Sequence, residues 1–435
     1  MASTRPWSAA AGWLAFLGPF FFLSYGLTNW LSSQRPDVGV LVFDWERSIP
    51  FLPWTILPYW SIDLLYGLSL FICRDRVELD NHAKRLLAAQ IIAVSGFLLF
   101  PLRFSFPRPE TEGWAGFLFD VLMGFDKPFN QAPSLHIALL LILWVRYAAH
   151  LQGLWRWWLH GWFLLIGLSV LTTWQHHFID LPTGLWVGLL CLVLFPEGNR
   201  GTGLQPRPLT RPRLRIGLYY GLGALVLTFA AVQLGGWGWL WLWPAGALGL
   251  VAVIYWLGDP HAFRKEEGRL PAAVRWLLAP YLLGAWLNSR WWTRRQTPWD
   301  RVTEAIWIGR LPSRRELKLL GAVSLVDLSA ELPSPATDLA YRNVPMLDLV
   351  PPSPAQIGEA VAAINELAGS RPTLVYCALG YSRSALAVAA WLLASARAES
   401  IAEAEAQIRR ARPQVVLKDS HRRSLEAWRH QDPQP

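Results

Sequence analysis

Long apolar stretches separated by polar residues fill residues 1–257 of the chain. A helix that crosses a bilayer needs about 20 apolar residues, and most of these stretches approach that length. Two of them, 134–145 and 181–195, are short and need flanking polar residues to reach it. The pattern predicts a multipass α-helical bundle of about eight transmembrane helices. The predicted spans are Trp13–Leu31, Phe51–Cys73, Leu87–Leu102, Ser134–Val145, Trp158–Trp174, Leu181–Phe195, Ile216–Leu234 and Trp237–Leu257.

After Arg295 the pattern changes to short apolar runs that alternate with amphipathic segments. Short apolar runs predict buried strands, and apolar positions three or four residues apart predict helices. The alternation predicts an α/β domain over residues 299–430 with a mostly parallel sheet. Predicted strands are Ala305–Gly309, Ala322–Asp327, Tyr341–Met346 and Leu374–Cys377, and predicted helices are Arg314–Leu320, Gln356–Ala368, Ser384–Ala398, Ser400–Arg412 and Ser420–Trp428.

Residues 258–298 form a predicted linker between the bundle and this domain. Its segment 271–289 is apolar but contains Arg275 and Pro280. A charge and a proline in so short a segment disfavour a membrane span. We therefore expect an amphipathic helix that lies on the cytoplasmic membrane surface, with a ninth span as the alternative.

Composition and charge agree with a membrane protein. Hydrophobic residues make up 53% of the chain and charged residues only 16%, outside the usual range of soluble domains. The net charge of +9 rests on arginines in the loops after the second, fourth, sixth and eighth predicted spans. The positive-inside rule then places the N-terminus and the C-terminal domain in the cytoplasm, with the protein in the inner membrane. The basic residues are dispersed, which argues against binding to nucleic acid.

The segment VYCALGYSRS, residues 375–384, carries the clearest candidate chemistry. Backbone N–H groups of such a loop and the N-terminus of the following helix form a cradle for a phosphate. Gly380 lies where the loop turns sharply, and Arg383 can bind two phosphate oxygens with its planar guanidinium group. Cys377 is then a candidate nucleophile, and Asp348, on a loop after a strand, a candidate general acid. The pattern predicts a phosphatase.

These residues resemble the active-site motif of the dual-specificity phosphatases, in the cysteine-dependent protein tyrosine phosphatase superfamily. The family pattern is His-Cys-x-x-Gly-x-x-Arg-Ser/Thr, often with a serine before the arginine. Ser382 and Ser384 flank the arginine here, and Tyr376 stands where the family has histidine. The resemblance covers residues 299–428 and implies Cys377 as nucleophile, Arg383 as phosphate clamp and Asp348 as general acid. Ser384 is placed to assist the leaving thiolate.

Three polar clusters interrupt the apolar half of the chain: Arg103–Pro109, Pro133–His136 and His176–Asp180. Ionisable residues at membrane depth are costly and mark candidate sites. The spacing of His176 and Asp180 puts both on one helix face, so the carboxylate can orient the imidazole. All three clusters fall on the predicted outer side. Two histidines with two arginines favour phosphoryl transfer without a metal, since arginines disfavour a bound cation.

These clusters are similar to the motifs of the type-2 phosphatidic acid phosphatase superfamily, over about residues 44–196. The resemblance implies His176 as nucleophile, His136 as general acid and Asp180 as the orienting carboxylate. It also implies phosphate binding by Arg103, Arg108 and Ser134. Two positions depart from the family pattern: Arg103 has a different spacing, and residue 170, normally arginine, is valine.

The residues of the second and third clusters match more closely the motifs of the inositol phosphorylceramide synthase and sphingomyelin synthase branch of this superfamily. We therefore expect a membrane phosphatase without cofactor or metal, with two sites that act on phospholipids or other lipid phosphates. A lipid headgroup transferase whose C-terminal domain is regulatory, or acts on proteins, remains the first alternative. A chain in which one domain is a catalytically inactive binding module is the second.

Overall fold

The chain forms two compact units. The computed structural model describes residues 5–197, 205–321, 323–335, 338–369 and 371–431. The N-terminal unit comprises Met1–Thr202 and Leu234–Trp239, and the C-terminal unit comprises Gly203–Gln233 and Leu240–Pro435. The last two predicted spans therefore belong mostly to the unit that holds the α/β domain.

Helices make up most of the described part of the N-terminal unit, and loops join them. Its buried apolar side chains form one core between the helices. The helices are α1 (Trp7–Ser33), α2 (Ile56–Phe71), α3 (Arg76–Leu99), α4 (Gly113–Phe125), α5 (Leu135–His150), α6 (Gly153–Thr172) and α7 (Asp180–Leu194).

Four helices among the described residues are long and apolar enough to cross a membrane. They are Trp7–Ser33, Arg76–Leu99, Arg211–Leu234 and Gly236–Leu257. Helices α4, α5 and α7 are apolar but shorter. A helical, apolar N-terminal region is thus confirmed, whereas the number of eight spans stays a prediction.

Close packing of α7 on α5 brings two of the predicted polar clusters together. A Cβ atom at Gly184 would lie 2.5 Å from the carbonyl oxygen of Ser134, so a side chain there would force the helices apart. Ser134 also accepts a hydrogen bond from the backbone N–H of Ile137 (3.2 Å) and caps the N-terminus of α5. Glycine and serine at these positions therefore hold the start of α7 beside the start of α5.

The described part of the C-terminal unit has four α-helices ahead of a five-stranded sheet, the first being α8 (Arg211–Leu234). The sheet order is β1-β2-β5-β3-β4, and only β1 runs antiparallel to its neighbour. The strands are β1 (Trp299–Arg301), β2 (Ile306–Arg310), β3 (Ser324–Ser329), β4 (Tyr341–Met346) and β5 (Thr373–Cys377). The further helices are α9 (Leu242–Leu257), α10 (Ala272–Leu277), α11 (Ala279–Thr293), α12 (Arg314–Leu320), α13 (Pro354–Ala368), α14 (Arg383–Ala394), α15 (Ile401–Ala411) and α16 (Asp419–Gln431).

The prediction of a mostly parallel α/β sheet is confirmed. The bounds of α12 and β4 match the prediction, and Ser400 caps α15 by accepting from Glu403 N (3.1 Å). Helix α14 ends at Ala394, four residues before its predicted end. Strand β3 begins at Ser324, where pairing with β5 begins, and the predicted first residue, Ala322, lies outside the described residues.

The two faces of β5 have different surroundings because side chains alternate along a strand. Val375 and Cys377 pack in the core under helices α13 to α16. Leu374 and Tyr376 pack in a second core on the opposite face, which α12 and Ala285 of α11 cover. The candidate nucleophile and the tyrosine before it therefore point to opposite faces of the sheet.

The segment 271–289 forms the two helices α10 and α11 rather than one. Neither is among the described helices of membrane-crossing length. Helix α11 buries Tyr281, Ser289 and Thr293, whereas Leu283, Leu287 and Trp291 are 58%, 52% and 64% exposed. One face is thus packed on protein and the other presents exposed apolar side chains, whereas the amphipathic character expected for this segment stays a prediction.

Candidate active site

The candidate nucleophile lies at the carboxyl end of the central strand. The Sγ atom of Cys377 accepts a hydrogen bond from the backbone N–H of Gly380 (3.3 Å) and lies 3.5 Å from Ser384 Oγ. The Gly380 N–H donates to the sulfur, and the Ser384 hydroxyl beside it can either donate or accept. The Cys377 side chain is buried, and the loop that follows leads directly into α14.

Gly380 is required by the shape of this loop. Its φ of +74° lies in the left-handed region, which favours glycine. A Cβ atom there would lie 2.5 Å from the carbonyl oxygen of Gly309 on β2. The loop therefore packs against β2 with its backbone turned toward the sulfur of Cys377.

Arg383 is buried beneath the loop and held by a carboxylate that the sequence did not reveal. Its Nη1 and Nη2 donate to Glu331 Oε2 (2.9 Å) and Oε1 (2.8 Å), and Nη1 also donates to the carbonyl of Met346 (2.9 Å). Its Nε is buried and has no hydrogen-bond partner among the described residues. The bidentate pair fixes the plane of the guanidinium group and leaves Nε for an anion.

Asp348 lies on the other side of the same guanidinium group, with Oδ1 3.1 Å from Arg383 Nη2. Burial raises the pKa of Asp348 above its usual value, and the neighbouring Glu331 carboxylate adds to this, although Arg383 opposes it. Glu331 behaves in the opposite way: burial opposes its ionisation, but Arg383 holds its pKa below the usual value. The pKa values of the two carboxyls are thus shifted in opposite directions, which makes Asp348 the better proton donor and Glu331 the more stable anion.

The serines of the motif have different neighbours. Ser384 contacts the sulfur, as described above, whereas Ser382 Oγ lies 3.3 Å from Nε2 of His421 on α16. His421 Nδ1 accepts from the backbone N–H of Lys418 (3.1 Å). Burial and the positive charge of Lys418 lower the pKa of His421. A neutral imidazole therefore borders the loop, and no motif in the sequence predicted it.

Tyr376, at the position of the family histidine, lies in a buried polar network on the opposite face of the sheet. Its hydroxyl is 2.8 Å from Ser334 Oγ. Burial and the Asp327 carboxylate raise its pKa, so the phenol stays neutral. Asp327 in turn accepts from Tyr341 (2.9 Å) and from Lys265 Nζ (2.5 Å). Tyr376 thus anchors β5 through this buried hydrogen-bond network and does not face the sulfur of Cys377.

The N-terminal unit brings together part of the predicted histidine cluster. His176 Nδ1 lies 3.0 Å from Asp180 Oδ2, and its Nε2 lies 3.3 Å from Ser134 Oγ. All three side chains are buried. The backbone N–H of His176 donates to the carbonyl of Val170 (3.1 Å), the position where the resemblance places an arginine. Asp180 thus orients the imidazole of His176 so that its Nε2 faces Ser134.

The other predicted members of this cluster make contacts with aromatic rings and backbone groups. His136 stacks on Tyr59 with ring centroids 4.3 Å apart, and its buried Nε2 has no partner among the described residues. Arg108 lies over Phe119 (4.7 Å) and donates to the carbonyl of Trp174 (3.5 Å). Arg103 is exposed, and only its backbone N–H, which donates to Gly39, has a defined contact.

A carboxylate that the sequence did not reveal holds the second histidine of the pair. His177 Nδ1 lies 2.9 Å from Glu46 Oε2, and Ser105 contacts His177 Nε2 (3.1 Å). Within the described part of the chain, no group of three or more His, Cys, Asp or Glu side chains is arranged to hold a metal ion.

Comparisons with known proteins concern the C-terminal domain. Residues 315–431 match the profile of the dual specificity phosphatase catalytic domain. Similar solved structures include Tk-PTP in the active form (26% identity, 31% of this chain and 97% of that chain, TM-score 0.28). Human DUSP28 (25%, 31% and 95%, 0.28) and PTPMT1 in complex with PI(5)P (21%, 31% and 96%, 0.28) also match. The search of curated proteins gave no match.

These comparisons do not support the resemblance of residues 44–196 to the type-2 phosphatidic acid phosphatases, which therefore stays a prediction. The profile match covers most of the predicted domain 299–430 and contains the loop of Cys377 and Arg383. Residues 315–431 form a dual specificity phosphatase catalytic domain, and the chain is a phosphatase.

Proposed function

We propose that the Cys377 site hydrolyses a phosphomonoester on a membrane lipid. Arg383 and the loop N–H groups hold the phosphate while the Cys377 thiolate attacks phosphorus. The S–P bond forms as the P–O bond to the alcohol breaks, and Asp348 gives its proton to the leaving oxygen. Water then breaks the S–P bond, orthophosphate leaves, the thiolate is restored and Asp348 regains a proton. Ser384 stabilises the thiolate as it leaves.

The position of α11 is the observation that supports a lipid as the substrate. Ser289 on its buried face donates to the carbonyl of Ala378 (2.5 Å), which directly follows the nucleophile. Leu283, Leu287 and Trp291 on its other face are exposed. A helix that exposes apolar and aromatic side chains in this way suits the membrane surface. Helix α11 would hold the phosphate loop within reach of lipid headgroups.

The test compares substrates presented in vesicles with soluble ones. The purified chain in vesicles should release phosphate from phosphatidic acid or phosphatidylinositol 5-phosphate faster than from a phosphotyrosine peptide. In a His176→Ala background, which removes the second candidate site, Cys377→Ser should abolish the release. Leu283→Glu with Leu287→Glu should lower the lipid rate and leave para-nitrophenyl phosphate turnover unchanged. Leu319→Glu, at a leucine that is 79% exposed on α12, is the matched control. Faster turnover of the peptide would overturn the lipid assignment.

We propose the cytoplasm as the location of the C-terminal domain, since the positive-inside rule supports it. The cytoplasm also keeps thiols reduced, as a cysteine nucleophile requires. A reporter fused after Arg295 tests this orientation. Alkaline phosphatase activity at that position would place the domain outside and overturn the assignment.

A second function is favoured by the buried contact set of His176. We propose that His176, oriented by Asp180, transfers the phosphoryl group of a lipid, and that His136 protonates the leaving group. Hydrolysis and transfer of the headgroup to another alcohol are the two outcomes. Labelled phospholipid supplied with and without an acceptor lipid separates them, because a transferase forms product only with the acceptor.

A further inference from the structure

A cavity of about 610 Å³ lies in the C-terminal unit between the segment that leads into α8 and the loop after β4. Arg207 and Arg213 line one side of it, and Arg423 of α16 lines another. The loop after β4 closes the cavity with Leu347 and Val350. Part of the wall therefore comes from residues that precede the catalytic domain.

The charge of this cavity is positive. Three arginines line it, and none of its described lining residues is acidic. Arg213 is 4% exposed, and its guanidinium group donates to backbone carbonyls, including those of Leu257 (3.4 Å) and Arg207 (3.2 Å). Carbonyl groups satisfy its hydrogen bonds without neutralising the charge. A buried charge without a counter-ion is costly, so the cavity favours an anion.

The N-terminus of α13 adds to the positive potential of the cavity. Ser353 and Pro354 line the cavity at the start of this 15-residue helix, where the helix dipole is positive, although Pro354 has no N–H and Ser353 Oγ already accepts from Gln356 N (3.4 Å). Arg207 Nη1 donates to the side chain of Gln356 in the first turn (3.3 Å), which holds one arginine beside the helix end. The positive groups thus come from three separate elements.

The cavity adjoins the catalytic residues. Met346 lines it, and the carbonyl of Met346 accepts the hydrogen bond from Arg383 described above. Leu347 and Val350 lie on either side of the Asp348–Leu349 pair in the acid loop. Cys377, Asp348 and Arg383 do not line the cavity themselves, so a substrate held on Arg383 would have to cross the Asp348 loop to reach it.

We propose that this cavity binds a second phosphate of the substrate, one that is not hydrolysed. This rests on the proposed lipid function of the Cys377 site and names its substrate class. The substrate is a glycerophospholipid whose headgroup carries a terminal phosphomonoester in addition to the phosphodiester. Only the terminal P–O ester bond breaks, and the phosphodiester remains bound to the arginines.

The test uses the full chain in vesicles and four probes. Phosphatidylinositol 5-phosphate and its deacylated form, glycerophosphoinositol 5-phosphate, contain both phosphates, whereas phosphatidic acid and para-nitrophenyl phosphate contain only the monoester. Replacing both exposed arginines, Arg207→Ala with Arg423→Ala, should raise KM about tenfold for the first two probes, because charged hydrogen bonds to phosphate are lost. KM for the other two should stay within about twofold.

Arg314→Ala with Arg315→Ala is the matched control, since both arginines are exposed on α12 and the same charge is removed. It should change none of the four KM values. Arg207→Lys combined with Arg423→Lys should restore part of the affinity, because the charge returns without the planar group.

Two results would overturn the cavity proposal alone: equal KM changes for phosphatidic acid and phosphatidylinositol 5-phosphate, or no change for either. It also fails if inorganic phosphate alters para-nitrophenyl phosphate turnover through Arg207 and Arg423, because the cavity would then take free phosphate. A wild-type chain that hydrolyses para-nitrophenyl phosphate but neither lipid would overturn the proposed function as well.

Discussion

The hydroxyl of Tyr255 donates a hydrogen bond to the backbone carbonyl of Asp348 (3.1 Å). Tyr255 belongs to α9, part of a helix long and apolar enough to cross a membrane, whereas Asp348 is the candidate general acid. The next residue, Leu349, has a φ of +58°, a backbone conformation that costs energy for a branched side chain. A residue outside the catalytic domain therefore helps to hold a strained acid loop.

Tyr255→Phe should lower kcat about fivefold for lipid and soluble substrates and leave KM unchanged. Loss of one hydrogen bond costs about 1 kcal/mol, and a displaced acid affects the chemical step rather than phosphate binding. Steady-state kinetics measure the effect. Tyr219→Phe is the control, since Tyr219 is 58% exposed on α8. A change in KM alone would contradict the positioning role of Tyr255.

The pH dependence of turnover should follow Asp348. Because burial raises its pKa, the carboxyl remains protonated to a higher pH than an ordinary aspartic acid, and kcat should fall as pH rises through the raised pKa. Asp348→Asn should remove this alkaline limb and lower lipid turnover about 100-fold. Para-nitrophenyl phosphate should lose less, since nitrophenolate leaves without a proton. An unchanged alkaline limb in Asp348→Asn would show that another group is the acid.

Glu331→Gln should lower the thermal midpoint of the catalytic domain by an amount that corresponds to roughly 3 kcal/mol, because it breaks a buried ion pair. The pKa of Glu331 is lowered from 4.5, so its ionised form stabilises the fold above that pH. The stabilisation is lost as pH falls through the lowered pKa. The difference between variant and wild type should therefore be full near neutral pH and shrink below about pH 4.5.

The exposed pair of Arg342 and Glu366 supplies the control for that measurement. Its side chains are 52% and 51% exposed, so Glu366→Gln should cost less than about 1 kcal/mol. Equal effects of the two substitutions, or a pH-independent effect of Glu331→Gln, would contradict the role of the buried pair.

Local patterns account for the parts of the fold and site that the sequence predicted. Strand β4 and helix α12 have the predicted bounds, because alternation and caps lie within the segments themselves. Cys377, Gly380 and Arg383 lie within seven residues, so the motif could be recognised in the chain. Strand β1 has only three residues and carries no alternation to detect. Helix α14 ends before Ala396, whose φ of +52° no sequence signal indicates.

The remaining site residues could not be predicted, because their partners are distant in the sequence. Glu331 is 52 residues from Arg383, and Tyr255 is 93 residues from Asp348. No periodicity or spacing encodes such pairs, which only the sheet order and the packing of the preceding helices bring together. The same applies to His421, which reaches Ser382 from the last helix.

Lys265→Met should destabilise the catalytic domain by about 3 kcal/mol, since Asp327 would become a buried charge without its cation. The side chains are 2% and 0% exposed, and Lys265 precedes the domain in the chain. Adding Asp327→Asn to Lys265→Met should restore part of the thermal midpoint, because the unpaired charge is then removed. A double variant that is less stable than Lys265→Met would contradict this coupling.

Phosphate release by the two proposed sites should be separable by mutation. Cys377→Ser should abolish turnover of para-nitrophenyl phosphate and leave lipid turnover that depends on His176, because the S–P intermediate cannot form but the imidazole is unaffected. His176→Ala in the Cys377→Ser background should remove this remainder, measured as phosphate or transferred headgroup from labelled phospholipid. His160→Ala is the control, since His160 lies in the same unit and contacts Trp144 and Trp157 rather than the candidate site. Complete loss of lipid turnover in Cys377→Ser alone would leave the His176 cluster without a catalytic role of its own.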